Sequence, residues 1–255
     1  MLHLLADLEK FTVNATDGYV GKVKDFYFDD RTWKLRFVVA EAGIWLKNRK
    51  VLLPASAVKS VSLKDKHLGL DISMYDVKNG PGIDGELSLK PQSEIDYLSY
   101  YGYSFYRSAS EAHGFDGESE TKLAETFAAV DAARRTYGDR HLRSCKEMIN
   151  YDIEASDNHV GYLRSILFDD NNWSITHLLV DTSNWWLGQQ VLVEPRLIKD
   201  VSWGDARIYL NMLRQEVQAA PVFDADTLST LSESEVHLHE RGENIYDKQP
   251  LFKLV

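Results

Sequence analysis

The chain has 255 residues, a formal net charge of −10 and a single cysteine, Cys145. That length holds one large domain or two small ones with a connection between them. The acidic balance weighs against a broad phosphate-binding surface, which needs Lys and Arg; the lone cysteine excludes an intrachain disulfide framework; and no apolar run reaches the length of a membrane helix.

The N-terminus, MLHLLADLEKF, carries Asp7 and Glu9 where a secretory signal needs a basic start and a longer apolar stretch. The expected location is therefore cytoplasmic. Leu2 to Leu8 reads as a helical turn covering one end of a β-rich module. Asp17-Gly18 is a turn signal, because Gly accepts positive φ and Asp bonds its own backbone. A strand-like run extends from Val20 to Phe28, and Asp29-Asp30-Arg31-Thr32 makes the next turn. Lys34 to Val39 opens with the alternation of a half-buried strand. A loop from Glu41 to Asn48 leads to Val51-Leu52-Leu53, which stops at Pro54 because proline cannot donate to a ladder. Val58 to Leu63 and Leu68 to Ile72 read as a final pair of strands. So many short strands with regular turns predict a small barrel or a sandwich, and a barrel has the advantage of leaving no exposed edges.

Asn79-Gly80-Pro81-Gly82 and Asp84-Gly85 mark the exit from this module. Tyr97 to Tyr106, YLSYYGYSFY, is dense in aromatics that either dock on a partner or pack within the chain. Glu118 to Tyr137 reads as a helix from the spacing of Leu123, Phe127, Val130 and Tyr137, with Gly138 as its stop. The stretch from Pro221 onward is a mixed, acidic tail.

Shifting the sequence by 140 positions brings two segments into register. ATDGYVGKVKDFYFDDRTW, Ala15 to Trp33, aligns with ASDNHVGYLRSILFDDNNW, Ala155 to Trp173; eight of 19 positions are identical. The register continues without a gap through Trp45 and Trp185, Val51-Leu52 and Val191-Leu192, Val61-Ser62 and Val201-Ser202, and Leu70 and Leu210. Shared spacing without insertion predicts a shared backbone, hence two copies of one module. Leu142 to Ile149 then corresponds to the helical turn of Leu2 to Leu8.

The run Asp17-Gly18-x-x-Gly21-x-Val23-x-Asp25-Phe26-x-Phe28-Asp29-Asp30, with Trp33 after it, resembles the opening of a PRC-barrel domain. Asn184-Trp185-Trp186-x-Gly188-x-x-Val191-Leu192-Val193 is similar to its middle. The closer resemblance is to bacterial proteins with two such barrels. It implies small β-barrels used for protein contacts, and carries over neither the membrane role of the reaction-centre H subunit nor the role of ribosome-maturation factors. The expected fold is mainly β: two tandem PRC-barrel-like barrels at residues 1–78 and 141–217, a partly helical linker at 79–140, and a tail at 218–255.

Candidate chemistry is sparse. Asp29-Asp30 and Asp169-Asp170 repeat, but the spacing is not that of a calcium loop, and a hairpin turn in which Asp bonds local N–H groups accounts for them. His237-Leu238-His239 lacks further placeable ligands for tetrahedral zinc. His141, His159 and His177 align with Met1, Tyr19 and Phe37, so no catalytic set recurs. Cys145 aligns with Leu5, which points to packing. Lys47-Asn48-Arg49-Lys50 is the most basic stretch and reads as a solvated loop. No nucleophile elbow, P-loop or dinucleotide fingerprint occurs.

Trp33 and Trp173 come after turns and are expected to pack on the barrels. Trp45, Trp185 and Trp186 lie in loops, where they either mark a contact surface or fold over an open barrel end. The expected partner-binding residues are Trp45, Trp185, Trp186, Tyr101 and Tyr103. No catalytic residue, cofactor or metal is expected. The function expected is a non-enzymatic protein-interaction or assembly module, with a protein partner that includes a second copy of the chain as a homodimer. The alternatives are an enzyme or small-ligand sensor using a cleft between the barrels, and an RNA- or ribosome-associated factor, which the charge opposes. Neither a membrane nor a nucleic-acid partner is expected.

Overall fold

The computed structural model describes residues 1–80, 141–182 and 189–224. The first part of the chain forms β1 (Leu2–Leu4), α1 (Leu5–Leu8), β2 (Thr12–Ala15), β3 (Gly18–Asp29), β4 (Lys34–Ala42), β5 (Lys50–Pro54), β6 (Val58–Ser62), β7 (His67–Leu70) and α2 (Met74–Asn79). The later part forms β8 (Leu142–Ser144), α3 (Cys145–Met148), β9 (Asp152–Glu154), β10 (His159–Asp169), β11 (Ser174–Asp181), β12 (Gln190–Val193), β13 (Ile198–Ser202), β14 (Arg207–Leu210) and α4 (Arg214–Gln218). The chain is mainly β. Among the described residues no helix is long and apolar enough to cross a membrane.

The chain divides into two compact units: Ala6–Glu147, and Met1–Leu5 together with the residues from Met148 onward. In the first unit the strand order is β5-β4-β3-β2-β7-β6, antiparallel throughout except for the parallel pair β2 and β7. In the second it is β12-β11-β10-β9-β14-β13, again with one parallel pair, β14 and β9.

The long strands β3 and β10 organise these sheets. Against its hairpin partner, β4 or β11, each shows two register shifts, between Val23 and Asp25 and between Tyr27 and Phe28 in β3, and between Leu163 and Ser165 and between Leu167 and Phe168 in β10. A bulge bends a strand and strengthens its twist. The first half of β3 therefore pairs with β2, while its second half presents the same edge to β8. β10 likewise pairs with β9 and then with β1.

Two sequence expectations are corrected by this arrangement. The first concerns Leu2 to Leu8 and Leu142 to Ile149, which read as helical turns. In both, the first three residues are a strand and only the next four are helical. The cause is the open second half of each long strand, whose backbone groups bind an incoming strand. The second concerns closure. The sheet is not closed. A 3-10 turn at Ala55–Ala57 comes after β5, and β6 then pairs with β7 rather than with β5.

Apolar side chains on the inner faces fill each unit. Leu8, Val13, Phe28, Phe37, Leu52, Leu68 and Val77 are buried in the first, and Met148, Ile153, Leu163, Phe168, Val191 and Val217 in the second. Trp33 and Trp173 have positive φ (53° and 59°), unusual for a bulky residue. Their rings stack on Phe28 and Phe168, with centroids 5.3 and 5.4 Å apart, which is the packing role expected of them.

Candidate functional site

The turn that carries Trp45 joins β4 to β5. A 3-10 turn, Ile44–Leu46, ends at Lys47 and Asn48, both left-handed at φ 55°. Its backbone is tied internally: the amides of Leu46, Lys47 and Arg49 donate to the carbonyls of Gly43, Ile44 and Leu46 at 3.0, 3.0 and 3.1 Å. It is also tied to the sheet, since the Gly43 amide and the Trp45 indole Nε1 both donate to the Val20 carbonyl, at 3.0 and 2.8 Å. Arg49 Nη2 reaches the carbonyl of Gly80 at 3.1 Å.

The consequence is a fixed apolar patch. Ile44 is 90% exposed and Tyr19 43% exposed, while Trp45 is half-buried. A Cβ added to Gly43 would lie 3.4 Å from Trp45 Cδ1 and 3.5 Å from Tyr19 Cε1, so the two rings flank bare backbone. Trp45 is thus the anchor of the loop, and Ile44 is its exposed apolar side chain. The sequence pointed to Trp45 and missed Ile44 and Tyr19. An isoleucine in a turn just after glycine, outside any alternation, was the signal available.

The repeated acidic pairs serve both their own turns and an incoming strand. Asp29 Oδ1 accepts from the amides of Arg31 and Thr32 at 2.9 and 3.1 Å, and Asp169 Oδ1 accepts from the amide of Asn171 at 3.1 Å. These are the turn contacts expected of that pattern. The second Asp of each pair holds the incoming strand, and at β10 the first does so as well: the Met1 ammonium donates to Asp169 Oδ1 at 2.8 Å and to Asp170 Oδ1 at 2.7 Å. Asp30 meets His141 Nδ1 at 2.7 Å and accepts from Arg143 Nε at 3.1 Å; Asp170 meets His3 Nε2 at 2.8 Å.

Asp25 also serves this purpose. It accepts from the Ser144 hydroxyl at 2.6 Å and from the Lys146 amide at 3.0 Å. Cys145 beside it is only 4% exposed, and burial pushes its thiol well above the ordinary range, which suits packing rather than nucleophilic attack. His177 is partly buried, and that burial lowers its pKa.

The two clamping carboxylates shift in opposite directions. Burial raises Asp25, and the hydrogen bonds from Ser144 and from the amides of Lys146 and Phe26 only partly offset it. Burial also acts on Asp170, but hydrogen bonding, led by His3, outweighs it and the pKa falls. The folded protein therefore holds the Asp25 proton more tightly than the unfolded chain does. Its contribution to stability declines as pH rises from about 3.9 through the raised value. The Asp170 contribution is present above about pH 3.9 and is lost as pH falls through the lowered value. Carboxyl-carbon NMR titration is expected to place the Asp25 and Asp170 midpoints on opposite sides of the ordinary Asp value; midpoints on the same side would contradict the two clamps.

The second unit also has an open polar groove of about 460 Å³, lined among others by Glu154, Asp157, Lys199, Arg207 and Tyr209. Asp157 is engaged in holding α4, accepting from the Arg214 amide at 2.8 Å. Glu154 lies 3.5 Å from His159, and a hydrogen bond with Tyr209 raises the pKa of Arg207. These groups offer polar contacts, with no nucleophile set against a base. Among the described residues no three His, Cys, Asp or Glu side chains come together as a metal site.

Trp185, Trp186, Tyr101, Tyr103, His237 and His239 lie outside the described residues, as does the expected helix from Glu118 to Tyr137. The start of the tail is described: Phe223 donates its amide to the Gln190 carbonyl at 2.8 Å, and Val222 bridges Val191, extending the sheet beyond β12. No curated protein matches the chain. The family of the PRC-barrel domain matches residues 3–73, which run from His3 within β1 through β7 and end at Ser73, the N-cap of α2. A PRC-barrel domain thus occupies residues 3–73 of this chain.

Proposed function

We propose that the chain is a non-enzymatic protein-interaction or assembly module, in which residues 141–217 form a second copy of the PRC-barrel domain found at 3–73. Support for the second copy comes from recurrence at the same shift of 140 positions that aligns Asp29 with Asp169. The strand order, the parallel pair and the positions of both bulges recur. So do the positive φ values at Lys10 and Asn150, Trp33 and Trp173, and Lys66 and Ala206.

The observation that carries the interaction reading is the Trp45 turn. It holds Ile44 in solvent on a backbone fixed at both ends. A rigid exposed apolar side chain beside aromatic rings loses little entropy on binding and offers area to a partner. Asp25, Asp29, Asp30, His3, His141 and Cys145 serve turns, strand clamps and packing instead.

Ile44→Asp is expected to change unfolding stability by less than about 0.5 kcal/mol, as surface substitutions do. The same substitution is expected to weaken partner capture or self-association by about tenfold or more, the loss typical of a central contact residue. Light scattering over a concentration series and cross-linked capture read the two effects. A parent chain that stays monomeric and captures nothing would overturn the reading, as would full binding by Ile44→Asp. A second reading, a small-ligand sensor, is supported by the polar groove around Arg207 and Tyr209. A thermal-shift screen with small polar metabolites tests it, and a stabilising hit lost in Tyr209→Ala would support it.

A further inference from the structure

The second half of β3 and the second half of β10 are docking edges for a guest strand. At β3, Leu142, Arg143 and Ser144 stand opposite Asp29, Phe28 and Tyr27. At β10, Leu2, His3 and Leu4 stand opposite Asp169, Phe168 and Leu167. The register is the same and the anchor similar: a basic guest side chain meets Asp30 in one case and Asp170 in the other, where the Met1 ammonium also donates to Asp169 and Asp170. These shared features alone would let either guest strand dock on either edge.

The third guest position breaks that equivalence. Ser144 donates to Asp25 at 2.6 Å, and its oxygen accepts from the Glu147 amide at 2.9 Å. At β10 the residue aligned with Asp25 is Ser165, which is buried, and the guest side chain is Leu4. Leu4 packs on the apolar cluster of Leu167, Leu179 and Leu192. One edge thus demands a hydroxyl and the other an apolar side chain.

We infer that the Asp25–Ser144 pair is a specificity lock: the β3 edge takes the strand Leu142–Ser144 and rejects the strand Leu2–Leu4 of a second copy of this chain. If the N-terminal strand of another copy docked on β3, His3 would still find Asp30, but Leu4 would replace the hydroxyl that Asp25 needs. Asp25 is half-buried, and its Oδ2 would lose the Ser144 hydroxyl; an acceptor withdrawn from water and stripped of its donor costs more than the bond itself contributes. Discrimination by leaving a wrong partner's polar group unpaired is an efficient route to specificity. It matters here because an open strand edge otherwise templates like-with-like association. The lock does not depend on the Trp45 patch, and its failure would leave that reading intact.

The test uses the full chain under reducing conditions as parent, Ser144→Leu, and Asp25→Ser combined with Ser144→Leu. Amide hydrogen exchange over the docked strand, residues 142–144, is expected to lose about tenfold protection in Ser144→Leu, the loss expected on breaking a hydrogen bond to a charged group. The double substitution recreates the Ser-against-Leu chemistry of the β10 edge. It is expected to restore that protection and, with both edges now alike, to self-associate with rising concentration beyond the parent in light scattering. Unchanged protection in Ser144→Leu would overturn the lock. So would a double variant that associates no more than the parent, and this second arm stands even where Ser144→Leu alone fails to fold.

Discussion

Phe168→Ala is expected to destabilise the unit built from Met148 onward by about 3–5 kcal/mol, the range for deleting a buried aromatic side chain. Phe168 is fully buried in β10. It stands opposite His3 on one side and Ile175 on the other. Its ring stacks on Trp173 at 5.4 Å and lies 5.6 Å from the His3 ring. Trp173 holds a left-handed backbone at φ 59°, a conformation that costs about 1–3 kcal/mol unless packing enforces it. Alanine would remove the surface that enforces it. The expected loss therefore has two parts, a cavity and a released turn, and lies toward the upper end of the range. Against a domain stability of about 5–15 kcal/mol this is a large fraction. Urea unfolding monitored by tryptophan fluorescence and circular dichroism reads it. A loss below about 1 kcal/mol would mean that the site collapses and that the stack contributes little. Phe28→Ala, whose ring stacks on Trp33, is expected to do the same to the unit of Ala6–Glu147.

The contrast between Asp29 and Asp30 shows what a sequence can reveal. Asp29 bonds amides two and three residues away, so its turn role is legible from local pattern. Asp30 bonds His141 and Arg143, more than a hundred residues along the chain, and nothing local announces such partners. The same limit explains β1. LHLLADL has apolar residues at helical spacing, and only the open edge of β10 makes its first three residues a strand. Barrel closure escapes the sequence for a related reason. Alternation and turns predict strands, but the 3-10 turn at Ala55–Ala57 decides which neighbour β6 meets. In the candidate site, tryptophan draws attention by its residue type, whereas exposure depends on the hydrogen bonds that turn its indole inward and leave Ile44 outside.

Gly161→Ala is expected to cost about 3 kcal/mol or more, or to prevent folding of its unit, because overpacking and a forbidden backbone act together. Gly161 has φ 155°, a value that L side chains rarely adopt. A Cβ there would overlap the Asp181 carbonyl oxygen and lie 3.2 Å from the Thr182 Cα. Both obstacles are backbone, so β11 itself would have to shift. Gly21, its counterpart in β3, has only the steric part of this problem: its Cβ would overlap the Glu41 carbonyl oxygen and lie 2.8 Å from the Ala42 Cα. Gly21→Ala is therefore expected to be costly but less so. Gly69→Ala would meet only the movable hydroxyl of Ser60, and Gly204→Ala would meet nothing within 4 Å. The expected order of loss is Gly161, Gly21, Gly69, Gly204, measured as urea midpoints at constant slope. A different order would show that the close strand approach is not what these glycines protect. Gly21 carries a further consequence, because Ala42 leads directly into Gly43 and the Trp45 turn. Displacing β4 there should disturb the bond from the Trp45 indole to Val20. Gly21→Ala is thus expected to change tryptophan fluorescence and to weaken capture through Ile44, a link that neither Gly69→Ala nor Gly204→Ala should share.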